Sequence, residues 1–158
     1  MPSSNSLPSD WSRIVITSVQ PIVDGGAWPI KRAIGETVRV TAGVIVDSHE
    51  VLSVELMYRH EDATTSHVVR MSPDKNDEYT GAFSVSELGR YTYEVRAWID
   101  RFATWQDQFE RRVTGGESEA EIESELQAGA ALLRDAADNA SGTDRETLNT
   151  HIEAFEDG

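Results

Sequence analysis

The chain has 158 residues, no cysteine and a formal net charge of −14. The length suits one domain of ordinary size with an appendage, and the missing cysteine excludes disulfides and thiolate-ligated metal. The acidity disfavours nucleic-acid backbones and anionic membranes, and no apolar run approaches the ~20 residues that cross a bilayer.

Residues 1–10 are rich in Ser and Pro and lack the charged-then-apolar order of a leader; they read as a disordered tail. From residue 11 to 115, short β-rich runs alternate with turn signals. A first strand spans Ile14 to Val19 and stops at Pro21. Asp24-Gly25-Gly26 and Pro29 then mark a loop, with Gly25 and Gly26 supplying backbone angles that other residues resist. Val38, Val40, Ala42, Val44 and Val46 form one face of the next run, and Leu52, Val54, Leu56 and Tyr58 repeat the pattern. Period-two alternation of this kind marks half-buried strands. A shorter strand runs from His67 to Met71 and a turn from Pro73 to Asp77. Tyr79, Gly81, Phe83 and Val85, then Tyr91, Tyr93, Val95, Ala97 and Ile99, are the inward sets of two more strands; Trp105, Phe109 and Val113 are assigned to a last one.

About seven strands at this spacing predict a mainly β fold, an immunoglobulin-like antiparallel β-sandwich. Leu88-Gly89-Arg90-Tyr91-Thr92-Tyr93 has the form of a tyrosine corner, with the Tyr91 hydroxyl bonding back to the preceding connection. The position that carries a cysteine in antibody domains is Tyr93, so packing closes this core.

Residues 116–158 read as an acidic α-helical hairpin at the C-terminal end of the sandwich. Ile122, Leu126, Ala130, Leu133 and Ala137 follow helical spacing from Ser118 to Asp138. Thr143 and Glu146 have capping-box spacing before a second helix lined by Leu148, Ile152 and Phe155. Residues 114–158 hold 12 acids against 2 bases. A solvated face, an acidic docking surface and adaptation to high salt all give this balance.

Catalytic and metal signals are weak. His49, His60, His67 and His151 lack ligand spacing and read as surface residues. No G-x-S-x-G elbow or phosphate-cradling glycine loop occurs. Glu94 and Asp100 share a strand but stand roughly 20 Å apart, too far for paired work. No catalytic, cofactor or metal residue is therefore assigned, and the chain alone is not expected to be an enzyme. On the strand alternation Trp98 points outward. Cover by the hairpin, contact with another domain or subunit, and sugar stacking are all open readings.

Two segments carry a specific resemblance. One runs Pro21-Ile22-Val23-Asp24-Gly25-Gly26, then Trp28-Pro29-Ile30-Lys31-Arg32; the other runs from Leu88-Gly89-Arg90-Tyr91 to Asp100-Arg101-Phe102-Ala103-Thr104-Trp105. Together they resemble the N-terminal domain of the α-1,4-glucan:maltose-1-phosphate maltosyltransferases of the α-amylase superfamily, glycoside hydrolase family 13. The resemblance implies a cytoplasmic parent that extends α-1,4-glucan from α-maltose 1-phosphate through a separate catalytic barrel. It implies that this domain is non-catalytic, carries a helical insertion and helps form a homodimer, and that a further strand lies beyond Gly158. Trp98, Phe102, Trp105, Lys31 and Arg32 are then the candidate interface residues. The partners implied are the barrel, a second copy and α-glucan, with no cofactor. An independent carbohydrate-binding module and a protein-interaction domain are the alternatives.

Overall fold

The computed structural model describes residues 13–156; the expected tail, residues 1–10, lies outside the described residues. The chain divides into two compact units between Trp98 and Ile99.

The first unit is built from two sheets. One orders β1 (Ile14–Gln20), β2 (Thr37–Val46), β6 (Glu78–Ser84) and β5 (Ser72–Pro73) as β1-β2-β6-β5; the other orders β4 (His67–Arg70), β3 (Leu52–His60) and β7 (Tyr91–Ile99) as β4-β3-β7. The β1–β2, β2–β6, β5–β6 and β3–β4 ladders are antiparallel. The alternation in sequence becomes alternation in space: Val38, Val40, Ala42 and Val44 of β2 are buried, as are Val54 and Leu56 of β3 and Phe83 of β6. Tyr91, Tyr93, Val95 and Ala97 of β7 are half-buried against the same core. One core thus draws on both sheets, a sandwich-like arrangement consistent with the immunoglobulin-like expectation. Val40 and Leu56 are 0% exposed, each worth about 1.5–3 kcal/mol in removed apolar surface.

The strand expected to run on to Met71 ends at Arg70, and the chain changes sheets there. Met71 is buried, its amide donates to the Val54 carbonyl, and Ser72-Pro73 joins the other sheet as β5. The expected turn therefore begins after Pro73; Asn76 and Asp77 carry its positive φ angles, 60° and 58°.

The second unit corrects the sequence reading. Trp105, Phe109 and Val113 lie not on a strand but on helix α1 (Arg101–Gly115). The Asp100 carboxylate caps it by accepting from the Ala103 amide at 2.9 Å, and Gly116 closes it at φ 76°. Helices α2 (Glu119–Asn139) and α3 (Gly142–Glu156) follow within the stretch where the hairpin is expected, so the correction is confined to α1, which stands where a last strand is expected. Thr143 lies inside α3, whereas the Glu121 carboxylate accepts from the Ser118 amide and hydroxyl at the start of α2. The Arg145 guanidinium donates to the Ala137 and Asp138 carbonyls, satisfying the last turn of α2.

Leu133, Ala137 and Ile152 form the buried helical cluster, with Phe102, Leu148 and Phe155 against it. Trp105 is buried as well. Its indole N–H donates to the Glu125 carbonyl at 2.9 Å, and its ring lies 5.2 Å from Phe109 and 5.5 Å from Phe155. The ring rests where a side chain on Gly129 would stand: a Cβ there would meet Trp105 Cζ2 at 2.3 Å.

Candidate contact surface and pocket

The loop between β1 and β2 carries the first resemblance segment. Asp24–Gly26 form a 3-10 turn in which Gly25 and Gly26 take φ angles of 63° and 94°. A bridge between Val23 and Trp28 closes this turn into a small hairpin. Ile22, Val23, Trp28 and Ile34 lie exposed along the loop, Trp28 at 64%. Of these, Val23 and Trp28 are joined by the bridge, and exposed apolar side chains grouped in this way are of the kind that another molecule covers. Trp28 lies outside the expected contact set; its place off any regular strand pattern is the signal for it.

The same loop continues into Pro29-Ile30-Lys31-Arg32 and borders a cavity of about 410 Å³. Its other wall is the tyrosine-corner segment, Gly89, Arg90, Tyr91 and Tyr93, with Phe83 at its base. Pairing brings the walls together: the Gly35 amide donates to Val85 O at 2.8 Å and the Val85 amide donates to Glu36 O at 2.9 Å. Lys31, Arg32 and Arg90 are exposed cations, and none has a carboxylate partner among the described residues. Arg32 donates instead to the Lys31 carbonyl.

The Tyr91 hydroxyl accepts from the amides of Ser86 and Glu87 at 3.3 and 3.2 Å and pairs with the Ser86 hydroxyl. The Tyr93 hydroxyl donates to the Pro21 carbonyl. Burial pushes the Tyr93 phenol up from its ordinary pKa, and the Arg32 charge opposes that rise. Both hydroxyls are thus committed, and the rings line the cavity as half-exposed faces.

His60 departs from the surface reading given to all four histidines. Its side chain is 12% exposed; Nε2 lies 3.1 Å from Leu88 O and Nδ1 accepts from the Asp62 amide at 3.3 Å. With Nδ1 as acceptor, Nε2 is the nitrogen placed to donate to Leu88 O. The ring meets Tyr91 edge-on at 4.9 Å, so His60 braces the corner.

The structure therefore brings Lys31, Arg32 and Tyr91 to one cavity, with Gly25 and Gly26 in the adjoining turn, and adds Arg90. Trp98 stands elsewhere on β7, 40% exposed, in a row with the Glu94–Arg96 ion pair. Phe102 and Trp105 belong to the helical unit. Phe102 is half-buried and Trp105 is packed inside. Among the described residues no group of three His, Asp or Glu side chains is placed to hold a metal ion, and no helix is long and apolar enough to cross a membrane.

Comparison with known proteins places these features in a family. A family model described as "Alpha-1,4-glucan:maltose-1-phosphate maltosyltransferase, domain N/S" matches residues 12–158. Among curated proteins, the α-1,4-glucan:maltose-1-phosphate maltosyltransferase of Salinibacter ruber is 65% identical over 96% of this chain and 23% of its own length. Proteins of the same name from Chlorobaculum tepidum and Methylacidiphilum infernorum are 30% and 38% identical, over 89% and 80% of this chain and 20% and 19% of theirs. The chain spans about a fifth of the length of the relatives it matches. It belongs to the domain N/S family of the α-1,4-glucan:maltose-1-phosphate maltosyltransferases.

Proposed function

We propose that this chain serves a maltosyltransferase as its non-catalytic N-terminal domain, contributing to a homodimer and positioning the catalytic barrel. On this reading the parent extends α-1,4-glucan from α-maltose 1-phosphate in the cytoplasm. The observation that carries it is the match of domain N/S to residues 12–158 while the relatives run several times longer.

Two kinds of exposed group support a contact role. Trp98 from the candidate set, joined by Trp28, offers exposed apolar surface, while Phe102 is half-buried against the helical cluster. Lys31 and Arg32 offer charge to an anionic group outside the chain. Trp105 contributes by holding the helical unit together, its own ring being enclosed there.

Sedimentation of the purified chain at micromolar concentration tests the dimer. A dimer that Trp28→Ser and Trp98→Ser together convert to monomer is expected; a wild-type monomer removes the dimer surface from this chain. Phosphate release from α-maltose 1-phosphate by the chain alone would overturn the non-catalytic reading. The exposed indoles of Trp28 and Trp98 also favour a second reading, a carbohydrate-binding module. Saturable binding of maltoheptaose tighter than about 1 mM would support it.

A further inference from the structure

The cavity beside the corner has a composition that the chain as a whole does not. The sequence holds 28 acids and 14 Lys and Arg, yet the residues lining the cavity include Lys31, Arg32 and Arg90 and no carboxylate. These cations come from two loops far apart in sequence. The Glu61 carboxylate stands beside this wall, accepting from the Arg90 amide at 2.9 Å, but it forms no ion pair with the three cations; cations that share a cavity are relieved by an anion. Two guanidinium forks and an ammonium are the side chains that suit a phosphate dianion. The wall beside them is apolar and aromatic: Ile30, Tyr91 and Tyr93 stand over Phe83. Since both tyrosine hydroxyls are engaged with the protein's own backbone, the tyrosines present ring faces, which suit the C–H face of a sugar. A volume of about 410 Å³ lies in the range of small-molecule sites.

We propose that this cavity binds a sugar phosphate monoester, with Lys31, Arg32 and Arg90 holding the phosphate and Tyr91 and Tyr93 receiving the ring. This names the anionic group offered to Lys31 and Arg32 above. It is independent of dimerisation, so sedimentation and the experiment below fail separately.

The test is an amide-resolved NMR titration of the 158-residue chain with glucose 1-phosphate, inorganic phosphate, maltose and AMP as probes. Glucose 1-phosphate shifts the amides of Lys31, Arg32, Gly89 and Tyr91 and saturates with a dissociation constant of about 1 mM or tighter. Maltose and inorganic phosphate each bind at least about tenfold more weakly, because each lacks one half of the contacts. The double variant Arg32→Ala/Arg90→Ala loses about tenfold or more, while Lys75→Ala, on a turn outside the cavity, leaves binding unchanged. Both arginines are exposed, and amide positions elsewhere report whether the double variant remains folded. Lack of saturation by glucose 1-phosphate at about 20 mM overturns the proposal, as does unchanged affinity in the double variant. Equal binding of inorganic phosphate removes the sugar from it, and tighter binding of AMP replaces the sugar with a nucleoside.

Discussion

The sandwich and the helical unit solve the same problem by different means. The sandwich spreads its load: its buried residues come from β2, β3 and β6 together with Met71 and Val85, and side chains of β7 close over them. The helical unit has a smaller cluster, Leu133, Ala137 and Ile152, and adds one closely keyed ring. Trp105 fills the space left by Gly129, donates to the Glu125 carbonyl and gathers Phe102, Phe109 and Phe155 around it. A distributed core loses stability in proportion to the atoms removed. A keyed core loses its fit when the key or its slot changes, even by one methyl group.

Four substitutions break or sharpen this contrast. Leu56→Ala should cost most, about 3–4 kcal/mol, because the side chain is wholly buried between the sheets. Chemical denaturation should still show one cooperative sandwich transition, moved but not broadened; a split transition would contradict the distributed core. Gly129→Ala adds only a methyl, and helix propensity favours alanine by about 1 kcal/mol. Its Cβ nevertheless overlaps Trp105, so a net loss of about 1–2 kcal/mol is expected. Hydrogen exchange should place that loss in α1, α2 and α3, with strand amides unchanged; a stabilised helical unit would show that the slot has slack.

Tyr91→Phe removes the acceptor shared by the Ser86 and Glu87 amides. Those amides are at the surface and can turn to water, so about 1 kcal/mol is expected, read as a lower thermal midpoint with the sandwich intact. The smallest effect is at the start of α2. Hydrogen bonds from Ser118, first from its hydroxyl and then from its amide, hold the Glu121 carboxyl below its ordinary value. A depressed folded pKa contributes stability above the unfolded value, and that stability is lost as pH falls through the folded one. The wild type should therefore lose its advantage over Glu121→Gln as pH drops below about 4.3. A stability difference that stays constant across that range would mean the bonds do not depend on ionisation.

The sandwich was legible because burial on one face of a strand writes itself into every second residue. Val38 to Val44 and Tyr91 to Ala97 show this directly. Helix α1 was misread for a related reason. Trp105, Phe109 and Val113 recur every four residues, a spacing that fits both period two and the helical repeat. The odd step from Phe102 to Trp105, together with Asp100 as a cap, was the signal that separates them. The cavity was only half legible. Lys31 and Arg32 stood out in a distinctive run, but Arg90 joins them through backbone pairing between Gly35, Glu36 and Val85, which no local pattern encodes. His60 escaped for the same reason, since its partners Leu88 and Tyr91 are distant in sequence.

The enclosed setting of Trp105 gives the protein an internal optical reporter. Trp28 and Trp98 are open to water, and an aqueous quencher can reach them. Trp105, hydrogen-bonded to a carbonyl and ringed by phenylalanines, should emit at shorter wavelength and resist quenching. In a Trp11→Phe background and in acrylamide, the surviving blue-side emission comes from the helices, so their opening can be timed without a label while the strand indole is quenched.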